Sequence, residues 1–470
     1  MISRSPMRTI KRYRWKELGL FIIPFMILLL EMTQLLLARS LRTGVVQTSS
    51  LTVKNLPTIQ GLIPVLGLIA VLLGINVLLS FTFPKADQVL LPLVGLLSGI
   101  GVLMATRLGP NLLPDPDPAL GSRQLLWVIL GLMVFLITLF SLRNMNWLRR
   151  YKYTWALLGI IMVGITLAHS LRSNLNSPTH DQLNIGPLNL QPSELLKIFL
   201  VIFFAAYLSE NIDIVSGGNL RIGPLRLPPF RQLGPLALML GLALLLFLGI
   251  RELGLALLIY GIFLVMIYLG SGKMSYVIAS LLIFFVLGFI GYTLFGYVRA
   301  RFAVVTFNVV DWQHWSAADD YFAQNGGLQI VQGLIALSSG GIIGTGIGLG
   351  HPTFVPVVQS DMIFTALGEE LGLAGLFAII GIYLLIVYRG YRIAIAARDS
   401  FNQLLAAGLT SIFAIQTLII TMGNMKFLPL TGIPLPFLSY GGSSIIANYI
   451  IIGILLRISH NTAMEREGLA

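Results

Sequence analysis

Long apolar runs separated by short polar turns dominate this chain. A membrane-crossing helix needs roughly 20 apolar residues. On that rule twelve spans are predicted, near 18–38, 58–82, 88–106, 125–142, 153–170, 193–209, 233–249, 252–270, 275–296, 361–388, 403–424 and 437–457. An even number places both termini on one side. Alternate loops hold Lys85; Arg143, Arg149, Arg150 and Lys152; Arg221, Arg226 and Arg231; Lys273; Arg389, Arg392 and Arg398; and Arg457. The opposite loops carry fewer cations, among them Arg39, Arg42 and Arg172. Cytoplasmic loops are enriched in Lys and Arg, so the bias predicts both termini inside. The N-terminal stretch contains Arg4, Arg8, Lys11, Arg12, Arg14 and Lys16 and leads into a long apolar run without a small-residue cleavage site. It reads as a retained span rather than a signal peptide. Glu31 lies inside that span, which is costly in lipid unless it faces protein or water.

The interruptions are informative in themselves. Residues 107–124 are turn-rich and expected outside, whereas the Pro- and Gly-rich segment 210–232 is expected inside. Arg251 and Glu252 break an apolar stretch running from 234 to 270. So short a break predicts a tight external hairpin or a bent, half-buried segment. The largest aqueous segment, 297–360, is expected outside and contains DWQHWSAADDYFAQNGG. Its amphipathic piece LQIVQGLIALSSGG suits the membrane interface. The glycine run GIIGTGIGLGHP neither follows a strand nor precedes a Lys-Ser/Thr pair, so it reads as flexible packing, not a nucleotide loop. Leu430 to Ser444, LTGIPLPFLSYGGSS, cannot be plain helix, because its prolines lack donors and its glycines relax the backbone. Broken backbone beside a span is tolerated where it is buried in protein or lines a wet cavity.

Composition narrows the class. Of 470 residues, 56% are hydrophobic and 11% charged, with a mean hydropathy of +0.86. Soluble domains carry about a quarter charged residues. This is an all-α polytopic membrane protein with little room for aqueous domains. There is no cysteine, which excludes disulfides and thiol chemistry. The five histidines lack metal-ligand spacing, so no metal site is predicted. No cofactor is required; acidic residues would allow a divalent cation, but no spacing demands one. The net charge of +12 follows the inner loops, so nucleic acid is not an expected partner.

TGIPLPFLSYGGSS resembles the signature of the SEDS family, the FtsW, RodA and SpoVE cell-wall polymerases of bacteria. The resemblance spans 88–458 and implies a ten-helix core, with residues 1–87 supplying a basic N-terminus and two additional helices and 459–470 a cytoplasmic tail. Three further blocks resemble family motifs. QPSELLK at 191–197 starts a span: Ser193 is placed to cap it, Glu194 suits its N-terminus, and Lys197 is placed to pair with Glu194. RELGLALL at 251–258 keeps a charge and a bend, in Glu252 and Gly254, where the family has Asp-Leu-Gly-Thr. SDMIFTALGEELG at 360–372 puts Asp361, Glu369 and Glu370 beside the expected site, with either a structural or a chemical role. Ser439 and Ser443 of the signature join these as substrate-binding candidates.

The family has an essential acidic residue in its large external loop, here 297–360. Trp315 and Gln329 mark the ends of the corresponding motif, although its Asp-Pro pair is absent and the loop is longer. The catalytic candidates are Asp320, then Asp319, then Asp311, each weighed against a solvated loop carboxylate. Lys426, expected outside against the charge trend, and Arg299 and Arg301 are candidates for a pyrophosphate-bearing lipid, with interfacial snorkelling the alternative for Lys426. The resemblance thus implies a peptidoglycan glycosyltransferase of the bacterial cytoplasmic membrane. It would polymerise lipid II at the outer face with an external Asp as general base, among membrane lipids and with a class B penicillin-binding protein as partner. A flippase or transporter for a lipid-linked precursor is the main alternative, and a non-catalytic division scaffold a third.

Overall fold

The computed structural model describes residues 13–42, 59–173, 183–185, 188–211, 220–222, 225–227 and 230–468. Arg4, Arg8, Lys11 and Arg12, and much of the loop expected at 210–232, lie outside the described residues. Each expected span coincides with one long helix: α1 (Trp15–Arg42), α2 (Ile59–Thr82), α3 (Leu90–Leu108), α4 (Leu120–Ser141), α6 (Lys152–Ser173), α7 (Ser193–Glu210), α8 (Phe230–Gly249), α9 (Leu253–Ser271), α10 (Met274–Leu294), α14 (Ile363–Ala396), α15 (Ser400–Asn424) and α16 (Gly442–Arg466). Ten of these, among the described residues, are long and apolar enough to cross a membrane by length and composition. The other two are α7, which carries Glu194, Lys197 and Glu210, and α8, whose apolar part is short. A short helix α5 (Asn146–Arg150) precedes α6, and two small antiparallel hairpins are present, β1 (Leu183–Ile185) with β2 (Leu188–Leu190) and β3 (Leu220–Ile222) with β4 (Leu225–Leu227).

The boundaries depart from expectation where polar and broken sequence intervenes. The last helix begins at Gly442 rather than 437, because Pro436 and the left-handed Phe437 (φ 66°) hold the preceding signature non-helical. The large loop is itself mostly helical, with α11 (Gly296–Thr306), α12 (Ala317–Gln324) and α13 (Leu328–Gly340). The amphipathic piece became α13, whose buried face, including Ile330, Gly333 and Ala336, packs on α14. The glycine run is not loose. Gly344, Gly346 and Gly348 have positive φ, and a Cβ on Gly344 would strike the backbone of Glu370 to Gly372. Gly372 (φ 69°) kinks α14 at that contact, so two glycines allow a close backbone crossing.

Packing separates the helices more sharply than hydropathy does. Helix α3 is buried nearly all round, and α10 is exposed along most of its length. The glycines of α3 explain this: Gly95 abuts Leu72, Gly99 abuts Leu28 and Gly101 abuts the carbonyls of Phe437 and Leu438. Small residues let neighbouring backbones approach closely in membranes. Helices α4 and α16 form the most extensive pair, followed by α14 with α15 and α6 with α7.

The two N-terminal helices are clamped to this core. The Arg14 guanidinium, fully buried, donates to Glu17 at 2.7 and 2.9 Å and to the carbonyls of Phe83, Ala86 and Asp87 at 2.9, 3.1 and 2.6 Å. Asn76 donates to Glu17 at 2.6 Å, tying α2 to α1. Asp87 in turn pairs with Arg389 of α14. At the other end Leu35 and Ala38 touch Gly348, so the added helices brace the glycine run. Glu31 is half-buried, and its Oε2 has no hydrogen-bond partner among the described residues.

Candidate active site

The broken segment 430–441 is held at one end of the bundle by the 359–360 loop, α4 and α14 as well as by a bond of its own. Ser439 Oγ accepts from the Leu435 N–H at 2.7 Å and donates to the Ser360 carbonyl. The Tyr440 N–H donates to the Gln359 carbonyl at 2.8 Å, and Gln124 donates to the Ser439 carbonyl at 3.2 Å. Tyr383 donates to the Pro436 carbonyl. A helix would satisfy these groups internally. Here the prolines and Gly432 (φ 70°) prevent it, so side chains and neighbouring loops supply the partners.

A polar relay reaches the segment from α7. Lys197 Nζ donates to Glu194 at 2.7 Å and to Gln416 Oε1 at 3.1 Å, and Gln416 donates to the Pro434 carbonyl at 2.6 Å. All three side chains are buried, and the Glu194–Lys197 pair has the expected i, i+3 spacing. The expected Ser193 cap is not formed. Pro192 occupies the cap position and Ser193 is the first helical residue, because the chain turns one residue earlier through Gln191 and Pro192. Ser443 Oγ instead accepts from the Gln191 N–H at 2.9 Å, joining the motif to the start of α16.

Asp361 stands between the signature and α13. Both its carboxylate oxygens lie 3.3 Å from Gln329 Nε2, Ser360 Oγ is 3.3 Å from Oδ1, and Asn424 donates to its main-chain carbonyl at 3.1 Å. Burial pushes this carboxyl above its ordinary range, opposed by these hydrogen bonds and by the nearby Arg301 charge. Because folding favours the protonated form, stability falls as pH rises from the ordinary Asp range to the raised value. Asp361→Asn should therefore be at least as stable as the parent at pH 7, an advantage that shrinks towards pH 4. Thermal unfolding in detergent across that range checks this.

Cations border the same place. Arg301 donates to the Leu430 carbonyl at 2.7 Å and to the Arg251 carbonyl at 3.5 Å. Lys426, left-handed at φ 65°, donates to the Phe307 carbonyl, and burial lowers its pKa. Arg299 is exposed. The break at Arg251 (φ 62°) and Glu252 is a tight reversal in which Glu252 is buried, and Gly254 presses against the Thr431 backbone. Thus Arg301, Glu252, Asp361, Ser439, Ser443, Lys426 and the Glu194–Lys197 pair all touch or border the signature.

Two groups of candidates make no hydrogen bond to the signature among the described residues, although Leu430 packs on the cluster beside α12. Glu369 accepts from the His351 N–H at 2.6 Å, while Glu370 pairs with buried Arg107 at 2.9 Å, and Arg107 also donates to the Gly350 carbonyl at 2.8 Å. These contacts bind the glycine run to α3 and α14. Asp311, Asp319 and Asp320 lie around α12, which packs on a small cluster containing Phe307, Ala323 and Ile330. Asp319 closes a capping box with Ser316, and those hydrogen bonds lower its pKa. Asp311 lies 2.6 Å from His314. The exposed Asp320 carboxylate makes no hydrogen bond among the described residues.

Among the partners that the sequence did not single out are Gln416, Asn424 and Arg107. Each is a buried polar group in or at the end of an apolar run, which is itself the available signal. No group of acidic or His side chains placed to hold a metal occurs among the described residues.

Residues 88–464 match the model of the FtsW, RodA and SpoVE family of cell cycle proteins. The chain belongs to that family. Its relatives include the RodA of Mycobacterium leprae, named a peptidoglycan glycosyltransferase, which is 36% identical over 80% of this chain and 78% of its own. The stage V sporulation protein E of Bacillus subtilis is 29% identical over 79% of this chain and 96% of its own. The fold is also that of solved structures. A chain of a peptidoglycan synthase complex, described as coordinating polymerization and crosslinking, aligns with a TM-score of 0.61 at 22% identity, covering 80% of this chain and 98% of that one. The Thermus thermophilus rod shape determining protein RodA aligns with a TM-score of 0.55 at 21% identity, covering 80% and 97%. As an FtsW/RodA/SpoVE protein the chain is a multi-pass membrane protein.

Proposed function

We propose that this chain is a peptidoglycan glycosyltransferase that polymerises lipid II at the outer face of the bacterial cytoplasmic membrane, with both termini inside. The observation that carries this reading is the Arg301 bond to the Leu430 carbonyl of the broken signature, with Lys426 bonded to Phe307 and Asp361 following the Ser360 that accepts from Ser439, while Leu430 packs on the cluster beside the carboxylate-bearing α12. The names carried by relatives support the activity. In the reaction the 4-hydroxyl of the acceptor sugar attacks the anomeric carbon of the lipid-linked donor. The new glycosidic bond forms as the bond to undecaprenyl pyrophosphate breaks. Asp320 takes the hydroxyl proton as general base. Arg299, Arg301 and Lys426 stabilise charge developing on the pyrophosphate. Asp361 and the Glu194–Lys197–Gln416 relay hold the signature in shape. A class B penicillin-binding protein is the proposed partner, and no divalent cation is assigned a role.

A lipid-linked precursor transporter would use a similar broken segment. Proteoliposomes loaded with fluorescent lipid II separate the two. Glycan strands are expected, their yield rising with the partner present. Transfer of intact lipid II between leaflets without strands would overturn the proposal.

A further inference from the structure

At the opposite end of the bundle lies a cavity of about 460 Å³, lined by Arg143, Asp399, Asn402, Arg457, His460 and Glu465 among others. His460 is eighteen residues along α16 from Gly442, about 27 Å at the helical rise. The cavity is therefore remote from the signature. Three buried atoms of its lining have no hydrogen-bond partner among the described residues: Arg457 Nε, His460 Nδ1 and Asn402 Oδ1. Arg457 is only partly buried, but its Nε–H is shielded from solvent, and an unpaired shielded donor on a group that keeps its charge is costly.

The nearby acids do not meet this need. Asp399 accepts from the Asn402 N–H at 3.3 Å and lies 3.9 Å from Arg149, while Glu465 is exposed. Arg457 is held across the cavity by its contact with the Arg143 carbonyl at 3.4 Å and by the Phe83 ring at 5.2 Å, and His460 packs edge-on against the same ring. The site therefore presents the shielded Arg457 Nε–H, the exposed Arg143 guanidinium and one buried acceptor on Asn402.

We infer that this cavity is a binding site for a phosphate ester that also carries a hydroxyl donor. The phosphate oxygens would accept from Arg457 Nε–H and Arg143, as charge-assisted pairs, and the hydroxyl would donate to Asn402 Oδ1. A neutral sugar would leave the arginines without an anion, and a plain dicarboxylate would leave Asn402 without a donor. Two sources offer this chemistry: the glycerol headgroup of an anionic phospholipid in the adjacent leaflet, and a soluble phosphate ester.

The full-length protein, stripped of lipid in detergent, can be probed with phosphatidylglycerol, phosphatidylcholine and inorganic phosphate by native mass spectrometry and thermal unfolding. Phosphatidylglycerol should be retained about tenfold better than phosphatidylcholine, and Arg143→Gln or Arg457→Lys should each remove about that factor. Arg392→Gln, outside the cavity, should not. Stabilisation by millimolar phosphate that the two variants lose, without preference between the lipids, would support the site with a soluble ligand. If Arg457→Lys does not fold, Arg143→Gln decides, because it is the Arg143 carbonyl and not its side chain that holds Arg457. Equal behaviour of parent and Arg143→Gln towards every probe would overturn the inference and leave the cavity to water.

Discussion

Asp320→Ala should lower the rate of lipid II polymerisation by about 10²–10⁴-fold, the usual contribution of a positioned general base. Its neighbours are already committed. Asp319 accepts from the Ser316 main chain and side chain in the capping box of α12, and Asp311 is paired with His314. Capping boxes accept Gln at this position. Asp319→Gln should consequently keep activity within a few-fold of the parent while Asp320→Ala loses it. Single-turnover assays of both variants, with binding of lipid II measured separately, distinguish lost chemistry from lost affinity. A collapse in Asp319→Gln matched by full activity in Asp320→Ala would move the base to Asp319.

The largest effect on stability is expected at the buried pair on α7. Lys197→Met leaves Glu194 as an uncompensated buried charge, since both side chains are almost wholly shielded and Lys197 is the only cation shown beside it among the described residues. Breaking a buried pair from one side costs about 3–5 kcal/mol. Replacing both partners, as in Glu194→Gln with Lys197→Met, should recover most of that loss. The double variant still loses the Lys197 to Gln416 contact, which leads to the Pro434 carbonyl, so stability should return further than activity. Unfolding in detergent beside the polymerisation assay tests both halves. Equal losses in the single and double variants would show that the pair acts through packing rather than charge.

Much of the architecture was legible because apolar length is a strong signal. Ten of the twelve expected spans are, among the described residues, helices long and apolar enough to cross a membrane, and the break at Arg251 and Glu252 was also readable. Which helix is central does not follow. Helices α3 and α10 are both strongly apolar, and the glycines that bury α3 are meaningful only once Leu28, Leu72 and Phe437 stand opposite. Within the site, Glu194 and Lys197 were readable as a local pair, since i and i+3 share a helix face. Their continuation to Gln416, the bond from Gln191 to Ser443, and the crossing of Gly344 over Gly372 join positions far apart in sequence. Such contacts depend on packing geometry, which hydrophobic periodicity does not encode. The loose reading of the glycine run failed for that reason. The helical loop was hidden by its short, mixed segments, where propensity is weak and tertiary contacts decide.

Outer-face chemistry requires the α12 region and the inner cavity to open on opposite sides of the membrane. The chain contains no cysteine, so single cysteines can be placed without background. Gln313→Cys and Arg398→Cys, both at exposed positions, can be challenged in intact cells with a membrane-impermeant maleimide. Labelling at 313, and at 398 only after the cells are opened, is the result predicted. Labelling at 398 in intact cells with 313 protected would place the carboxylates on the wrong side of the membrane and contradict the account.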